Sequence, residues 1–441
     1  MPTSSTVPSR RTLALLVVAS VLLAIGCFAV VWSQADDASA WDVPRYQAFG
    51  ARMAEGEVPY RDFRLEYPPG ALPAFVLPIH GFGSTDGPVW EPELNAPARR
   101  YARSFALLML ALLVSTVIAT ATSLRLLRAP LSQCGAALGL LALSPLLLGE
   151  LVLTRFDMWP AALTSVALAL LLRMRFLLSA LALGAAIAAK LYPALLVPSA
   201  VIQAWRSRGP RAGVMTLVVT SAAALAIFLP FFALAPSEAL WPIRVQLERG
   251  LHAESLGGSA LVAAHVLTLQ LDLHGFPMPT VPVRLDESSN GLSTAELVGA
   301  SADVIGALST IATVALLVWL WARFGRGPSS PDRLVLVVAA TLSVELAVGR
   351  VLSPQFLIWL LPVVPLVVGR RGQVASALLA AALLLTHAWF PGPYRDYVNL
   401  LSAGPTALLL IRNAVLLALL AALVVPGTAI PRRWGTPEPQ R

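Results

Sequence analysis

Charged residues are scarce in this sequence, and lysine is almost absent from it. Only 13% of the 441 residues are charged, and 57% are hydrophobic. A soluble domain of this size carries roughly twice that charged fraction. Of the 32 lysines and arginines, Lys190 is the only lysine. The composition excludes an ordinary soluble domain and places the chain among membrane proteins.

The motifs of several enzyme classes are also missing. The two cysteines, Cys27 and Cys134, fall in or beside apolar runs, so neither a disulfide framework nor a thiol site is expected. The five histidines lack metal-ligand spacing, and there is no GxSxG, P-loop or dinucleotide fingerprint. No basic stretch is interleaved with aromatic residues, which argues against a nucleic-acid partner. No metal or cofactor is predicted.

What the sequence has instead is a series of apolar runs that end in arginines, many of them near the length of about 20 residues that spans a bilayer. They predict an all-α polytopic membrane protein that forms one bundle over residues 1–441. Several runs are short, which predicts tilted or broken helices around an outward cavity. The twelve predicted helices lie near 12–32, 104–123, 133–149, 158–172, 176–189, 191–205, 213–235, 299–322, 334–348, 356–369, 374–390 and 406–424.

The arginines between these runs predict the orientation of the chain. Loops that carry arginine and almost no acid are expected on the cytoplasmic side of a membrane. Both termini, including the tail 425–441, are therefore expected in the cytoplasm, and the net charge of +8 reflects this topology. The predicted inner arginines are Arg10, Arg11, Arg125, Arg128, Arg173, Arg175, Arg206, Arg208, Arg211, Arg323, Arg326, Arg333, Arg370, Arg371, Arg432, Arg433 and Arg441.

Two long segments are expected outside, at residues 33–103 and 236–298. The first carries carboxylates and tyrosines in WDVPRYQAFGARMAEGEVPYRDFRLEYPPGALP. Asp42 and Tyr46 are four residues apart and share a helix face if Pro44 lies in the first turn. Asp62 and Glu66 have the same spacing. Such groups suit hydrogen bonds to a sugar, with one carboxylate acting as a base; the alternative is a solvated acidic loop.

Three cations stand at predicted outer tips, each soon followed by a proline. They are Arg155 in LTRFDMWP, Lys190 in AAKLYP and Arg350 in VGRVLSP. Lys190 has no acid within 30 residues in either direction. It therefore requires a remote carboxylate, a route by which it snorkels to the interface, or an anionic ligand. Because three cations converge, we expect a lipid phosphate.

The second outer segment contains IRVQLERGLHAESLGGS, residues 243–259, which adds donors and acceptors at Arg244, Arg249, His252 and Glu254. Gly257 and Gly258 allow a close backbone approach before an interfacial helix near 258–270. The alternative interpretation is an arginine patch that binds lipid headgroups.

These motifs together resemble the polytopic GT-C glycosyltransferases, specifically glycosyltransferase family 87, the polyprenyl-phosphate-mannose-dependent mannosyltransferases of actinobacterial type. The resemblance rests on WDVPRY, GEVPYRDFRLEYPPGALP, RFDMWPA, AAKLYPALLVP, RGLHAESLGGS and VLSPQFLIWLLP, in this order along the chain. It implies a polyprenyl-phosphate sugar donor, a lipid or glycan acceptor, and an aspartate base in the first outer loop. Asp42 matches that base best, and Asp36 and Asp37 stay open.

With such a donor, the cations that we expect to bind its phosphate are Lys190, Arg350, Arg155 and Arg249. Sugar or acceptor contacts are expected from Tyr46, Tyr60, Asp62, Glu66, Asp157, His252, Glu254 and Gln355. The predicted function is transfer of a hexose at the outer face of the plasma membrane, and mannose is the leading candidate for that hexose. A transporter or flippase of lipid-linked sugars is the alternative, but such proteins often show repeated halves, and no internal repeat is evident here.

Overall fold

The computed structural model describes residues 7–34, 42–82, 96–273, 284–286 and 295–425. Helices make up 82% of these residues. Asp36 and Asp37, the two alternative bases, and the tail 426–441 lie outside the described residues.

Seven helices in the described part of the chain are long and apolar enough to cross a membrane. They support a multi-pass membrane protein and correspond to seven of the twelve predicted spans. Their bounds are α1 Arg10–Gln34, α4 Ala96–Leu126, α5 Leu131–Leu148, α10 Pro210–Leu234, α14 Ala300–Arg326, α16 Arg370–Trp389 and α18 Ala403–Val424.

The other helices are shorter or carry more charge. Two of them, α7 and α8, have the bounds predicted for them, and α13 is the expected helix of the second outer segment. Their bounds are α2 Val43–Ala54, α3 Leu72–Phe82, α6 Leu151–Thr154, α7 Met158–Leu172, α8 Phe176–Ala189, α9 Val197–Arg208, α11 Pro236–Ala239, α12 Trp241–Glu248, α13 Leu256–Leu273, α15 Pro331–Val348 and α17 Gly392–Leu400.

A small sheet interrupts the all-α pattern that the composition predicted. Strands β1 (Leu251–His252), β2 (Arg284–Asp286) and β3 (Glu296–Val298) pair antiparallel in the order β1-β3-β2. Its register places His252 opposite Glu296. The strands are two or three residues long, too short to leave a period-two pattern in the sequence.

Two predicted spans differ from the structure because of their prolines. The predicted helix 191–205 is a 3₁₀ turn, Tyr192–Leu196, that continues into α9. The predicted helix 356–369 is instead a pair of 3₁₀ segments, Pro354–Leu360 and Val364–Leu366, both buried in the bundle. Proline lacks an N–H group and disfavours the α conformation in the residue before it. Pro354, Pro362 and Pro365 therefore prevent a continuous α-helix here.

The core lies around α4, α5, α7, α15 and the 3₁₀ segment Pro354–Leu360. In α4 and α5, 50% and 56% of the residues in the most apolar 18-residue stretch are buried. The corresponding fractions are only 17% in α1 and 6% in α10. The exposed apolar surface of α1 and α10 is what a lipid-facing helix presents. The central helices therefore form the scaffold on which polar groups can be buried.

Several predicted inner arginines share one end of the bundle. Arg10, Arg125, Arg128 and Arg173 line a single groove, so the start of α1 meets the ends of α4 and α7. Arg206 at the end of α9 donates to the carbonyl oxygens of Phe324 and Gly325, at 3.2 and 2.6 Å, near the end of α14. The arginines group as the charge pattern predicted, and the side of the membrane that they face stays a prediction.

Helices α8 and α10 approach closely at Gly184, which gives a stability prediction. A Cβ at Gly184 would lie 2.6 Å from both the Ala223 Cβ and the Thr220 carbonyl oxygen. We expect Gly184→Ala to force the helices apart and to cost about 1–3 kcal/mol. Gly139→Ala in α5 is the matched control, since a Cβ there meets nothing within 4 Å. Thermal unfolding of both variants in one detergent checks this, and equal melting temperatures would contradict it.

Candidate functional site

Asp42 stands at the start of α2 and faces the bundle. Pro44 lies in the first turn of α2, and the Tyr46 N–H donates to the Asp42 carbonyl oxygen at 2.9 Å. The Tyr46 hydroxyl donates to Asp42 Oδ2 at 3.3 Å. The two side chains therefore share a face, as their spacing predicted. Tyr46 is buried and its ring stacks on Phe75 at 4.6 Å, which fixes the orientation of α2.

Arg155, between α6 and α7, pairs with Asp42 at the start of α2. The Arg155 guanidinium contacts Asp42 Oδ2, the oxygen that also accepts from Tyr46. Arg155 lies between α6 and α7, in extended backbone that ends one helix before the other begins. The Asp42 side chain is 25% exposed and that of Arg155 is 10% exposed. A carboxylate held in this way still presents a face to an incoming group.

Lys190 is paired with Asp157, a carboxylate 33 residues away. The Lys190 Nζ donates to Asp157 Oδ1 at 2.6 Å, and the Trp359 indole N–H donates to the same oxygen at 2.7 Å. Asp157 is only 1% exposed, so it faces these two donors and does not face open space. Of the three explanations left open by the sequence, the structure provides the remote carboxylate.

Three aromatic rings surround the Lys190 ammonium. Its Nζ lies 4.8, 5.1 and 5.3 Å from the ring centroids of Phe156, Phe356 and Trp359. Tyr192 stacks on Trp359 at 4.1 Å, which holds the indole in place. Cation–π attraction is stronger where water is excluded. The ring faces and the carboxylate together stabilise a cation at the tip of α8, where the helix gives way to extended backbone.

Arg249 is a buried cation with unmet hydrogen-bonding capacity. It is 9% exposed, and its Nε has no hydrogen-bond partner within the described ranges. It lies close enough to Lys190 and Glu66 to interact electrostatically with both. Arg155 also acts on Lys190. Three of the four cations assigned to a phosphate therefore lie near one another.

Glu66 lies at the edge of this group of cations. Its carboxylate pairs with Arg45 at 3.1 Å, and the side chain is 10% exposed. Burial raises the pKa of Glu66, although Arg45 acts to lower it. The acid therefore balances part of the positive charge near Arg249.

The fourth cation, Arg350, is used differently. Its guanidinium donates to the Leu247 carbonyl oxygen at 2.8 Å, and its own carbonyl accepts from the His252 N–H at 2.9 Å. Arg350 thus ties the second outer segment to the end of α15. These contacts hold two parts of the chain together. Within the described ranges, Arg350 has no hydrogen bond to Lys190 or to its partner Asp157.

His252 is buried and neutral. Its Nδ1 lies 3.2 Å from the Leu352 carbonyl oxygen, and its Nε2 lies 3.7 Å from Glu296. Burial, with Arg249 as the next cause, lowers the pKa of His252 to about 3. Because the side chain is only 2% exposed, it supports the loop and does not face a sugar in this arrangement.

The remaining predicted contacts fall elsewhere. The Tyr60 hydroxyl is turned inward and donates to the Tyr67 carbonyl oxygen at 2.6 Å. Asp62 accepts from the Val58 N–H at 2.7 Å and pairs with Arg61 at 2.8 Å, so it closes its own turn. The spacing of Asp62 and Glu66 does not create a shared helix face, because residues 57–68 form turns and an isolated bridge. Gln355 is half-buried in the 3₁₀ segment Pro354–Leu360, whose Phe356 and Trp359 rings lie beside Lys190.

One buried charge was missed by the sequence interpretation. Arg412 lies inside α18 and is 1% exposed. It donates to the Glu254 carbonyl oxygen at 2.8 Å, and Asn413 donates to the same oxygen at 3.2 Å. An arginine in the middle of an apolar span is costly and marks a functional or structural site. The sequence shows this charge directly, as IRN inside the apolar run LLLIRNAVLL.

The buried Glu254 gives a prediction for pH. Burial raises its pKa to about 8, although Arg412 and Arg155 act to lower it. The folded state therefore binds a proton that the unfolded chain releases near pH 4.5. This contribution to stability is complete below that pH and is lost as the pH rises toward 8, by at most about 1.4 kcal/mol per pH unit. We expect wild-type melting temperatures to fall between pH 5 and 8, and the fall to be smaller in Glu254→Gln. The same slope in both proteins would contradict the assignment.

The described residues hold no group of three or more His, Cys, Asp or Glu side chains that could bind a metal ion. The fold and this site define the class of the molecule as a multi-pass membrane protein with a charged, partly buried polar site beside helix α2.

No protein-family model matches the chain, and no curated protein matches it.

Proposed function

We propose that the protein is a membrane glycosyltransferase that transfers a hexose from a polyprenyl-phosphate donor to a lipid or glycan acceptor. Mannose is the leading candidate for the hexose. The observation that carries the proposal is the placement of one partly exposed carboxylate, Asp42, beside a group of buried cations. A base and a set of cations are what displacement of a sugar from a phosphate requires. The family resemblance of the sequence motifs adds the substrate class.

The proposed reaction is an inverting displacement. The acceptor hydroxyl gives its proton to Asp42 while its oxygen bonds to the sugar C1, and the bond from C1 to the phosphate oxygen breaks with its electron pair leaving on the phosphate. Arg155 and Tyr46 both bind Asp42 Oδ2. They orient the carboxylate and occupy Oδ2, so we assign Oδ1 as the oxygen that accepts the proton.

In the same proposal, the departing polyprenyl phosphate binds Arg249, Lys190 and Arg155. Arg249 is the natural first contact, since its Nε lacks a hydrogen-bond partner among the described residues. Lys190 keeps Asp157 as its partner, so its positive charge stays fixed in a site from which water is largely excluded. Charge fixed in this way acts more strongly on a developing anion than it would in water.

The twelve-span topology, with both termini in the cytoplasm and the site outside, belongs to this proposal. Seven long apolar helices are its structural basis. The remaining predicted spans would be the shorter helices α7, α8, α9 and α15 and the buried 3₁₀ segments of residues 354–366.

A transfer assay tests the proposal. The purified chain in lipid nanodiscs is given radiolabelled polyprenyl-phosphate mannose and a set of lipid and glycan acceptors. Appearance of labelled acceptor that depends on the protein supports it. Donor binding without transfer, together with movement of labelled lipid across proteoliposomes, would replace it by the flippase hypothesis.

A further inference from the structure

A groove with a volume of about 780 Å³ opens at the arginine-rich end of the bundle. It lies between α1 and α4 and extends to the end of α7. Asp157 of the candidate site and Arg173 of the groove flank opposite ends of the 15-residue α7, about 22 Å apart along the helix. Arg10, Arg125, Arg128 and Arg173 line it, and Val17 and Ile118 are among its apolar walls. This volume is within the usual range of ligand pockets, about 300–1,000 Å³.

The four guanidinium groups have no anionic partner of their own. All four residues are exposed, and within the described ranges no side-chain hydrogen bond or ion pair is found for any of them. No acid is among the described residues that line the groove. Four like charges that share one groove repel one another, so an anion bound there lowers the free energy of the folded state.

The walls of the groove favour a lipid over a soluble anion. The arginines occupy the ends of α1, α4 and α7, while Val17 and Ile118 lie one to two turns further along α1 and α4, toward the middle of each apolar helix. A phospholipid has this same division, with phosphate at the membrane surface and acyl chains beside it. Basic grooves between membrane helices on the cytoplasmic side suit anionic headgroups.

We propose that this groove binds one anionic glycerophospholipid, with its phosphate on the four arginines and its acyl chains along the apolar faces of α1 and α4. The site is separate from the proposed sugar-transfer site and does not depend on it. The bound lipid joins α1, which packs against the rest of the bundle along a small part of its surface, to the α4–α7 core.

Thermal unfolding in detergent, with and without added lipid, tests the proposal. Dioleoyl phosphatidylglycerol should raise the melting temperature of the wild-type protein by about 3 °C, as expected for a ligand that binds only the folded state. Dioleoyl phosphatidylcholine and inorganic phosphate should each produce less than a third of that rise. Native mass spectrometry should then show one retained phosphatidylglycerol per chain.

The matched variants separate the groove from general surface charge. Arg125→Gln/Arg128→Gln should lose most of the rise, while its melting temperature without lipid stays near that of the wild type, because both side chains are exposed. Arg211→Gln/Arg326→Gln removes the same charge from exposed arginines outside the groove and should keep the rise. An equal loss in both double variants, or an equal rise with inorganic phosphate, would overturn the proposed lipid site.

Discussion

Replacing Asp42 by asparagine is expected to reduce sugar transfer by about 10²- to 10⁴-fold, the usual contribution of a positioned general base. Asparagine keeps the size of the side chain and an oxygen for Tyr46, but it cannot accept the proton of the acceptor hydroxyl. The fall should appear in kcat, because the cations that bind the donor phosphate are unchanged. Initial rates of transfer in nanodiscs, at saturating donor, measure this.

Asp62→Asn is the control for the Asp42 variant. It makes the same change of charge in the same outer segment, but Asp62 closes its own turn through Val58 and Arg61. We expect its transfer rate to stay within about threefold of the wild type, because exposed ion pairs such as Asp62–Arg61 contribute little to the fold and this pair does not contact Asp42. Full activity in folded Asp42→Asn would remove the base assignment and leave Asp36 and Asp37 to be tested.

The second large effect is expected at the Lys190–Asp157 pair. Lys190→Met leaves the Asp157 carboxylate buried, with the Trp359 indole as its one remaining side-chain hydrogen-bond donor within the described ranges. Breaking one side of a buried ion pair costs about 3–5 kcal/mol. We therefore expect a sharp fall in melting temperature and in the yield of folded protein, measured by thermal unfolding and size-exclusion chromatography.

The double variant Lys190→Met/Asp157→Asn separates stability from function. It removes both charges, so most of the lost stability should return, and the asparagine oxygen can still accept from Trp359. If Lys190 acts on the donor phosphate, donor affinity stays at least about tenfold below the wild type, equivalent to about 1.4 kcal/mol. Donor binding equal to that of the wild type in this stable protein would show that Lys190 has only a structural role.

Much of the helical architecture could be predicted from the sequence. The bounds of α7 and α8 follow from apolar runs that lie between charged residues, which are costly inside lipid: Asp157 and Arg173 flank α7, and Arg175 and Lys190 flank α8. The face shared by Asp42 and Tyr46 follows from a spacing of four residues and a proline in the first turn. These predictions succeed because they depend only on neighbours along the chain.

The partners of the buried charges could not be predicted in the same way. Lys190 meets a carboxylate 33 residues away and an indole 169 residues further along the chain, and no local pattern encodes either contact. The apolar length of the segment near Trp359 predicts an α-helix, but its prolines break that helix into 3₁₀ pieces. Arg412 differs, since a charge inside the apolar run of α18 is a local feature of the sequence, although its partner Glu254 is not.

By itself, the sequence determined the membrane class, the positions of the long helices and the end at which the arginines gather, because apolar length and charge are properties of a local segment. The tertiary structure alone decided which charges meet. It brought residues from distant parts of the chain together, pairing Asp42 with Arg155 and Lys190 with Asp157, and it placed the Arg412 guanidinium on the Glu254 carbonyl oxygen. A buried charge is stable only with a partner, and which partner reaches it depends on how the helices pack.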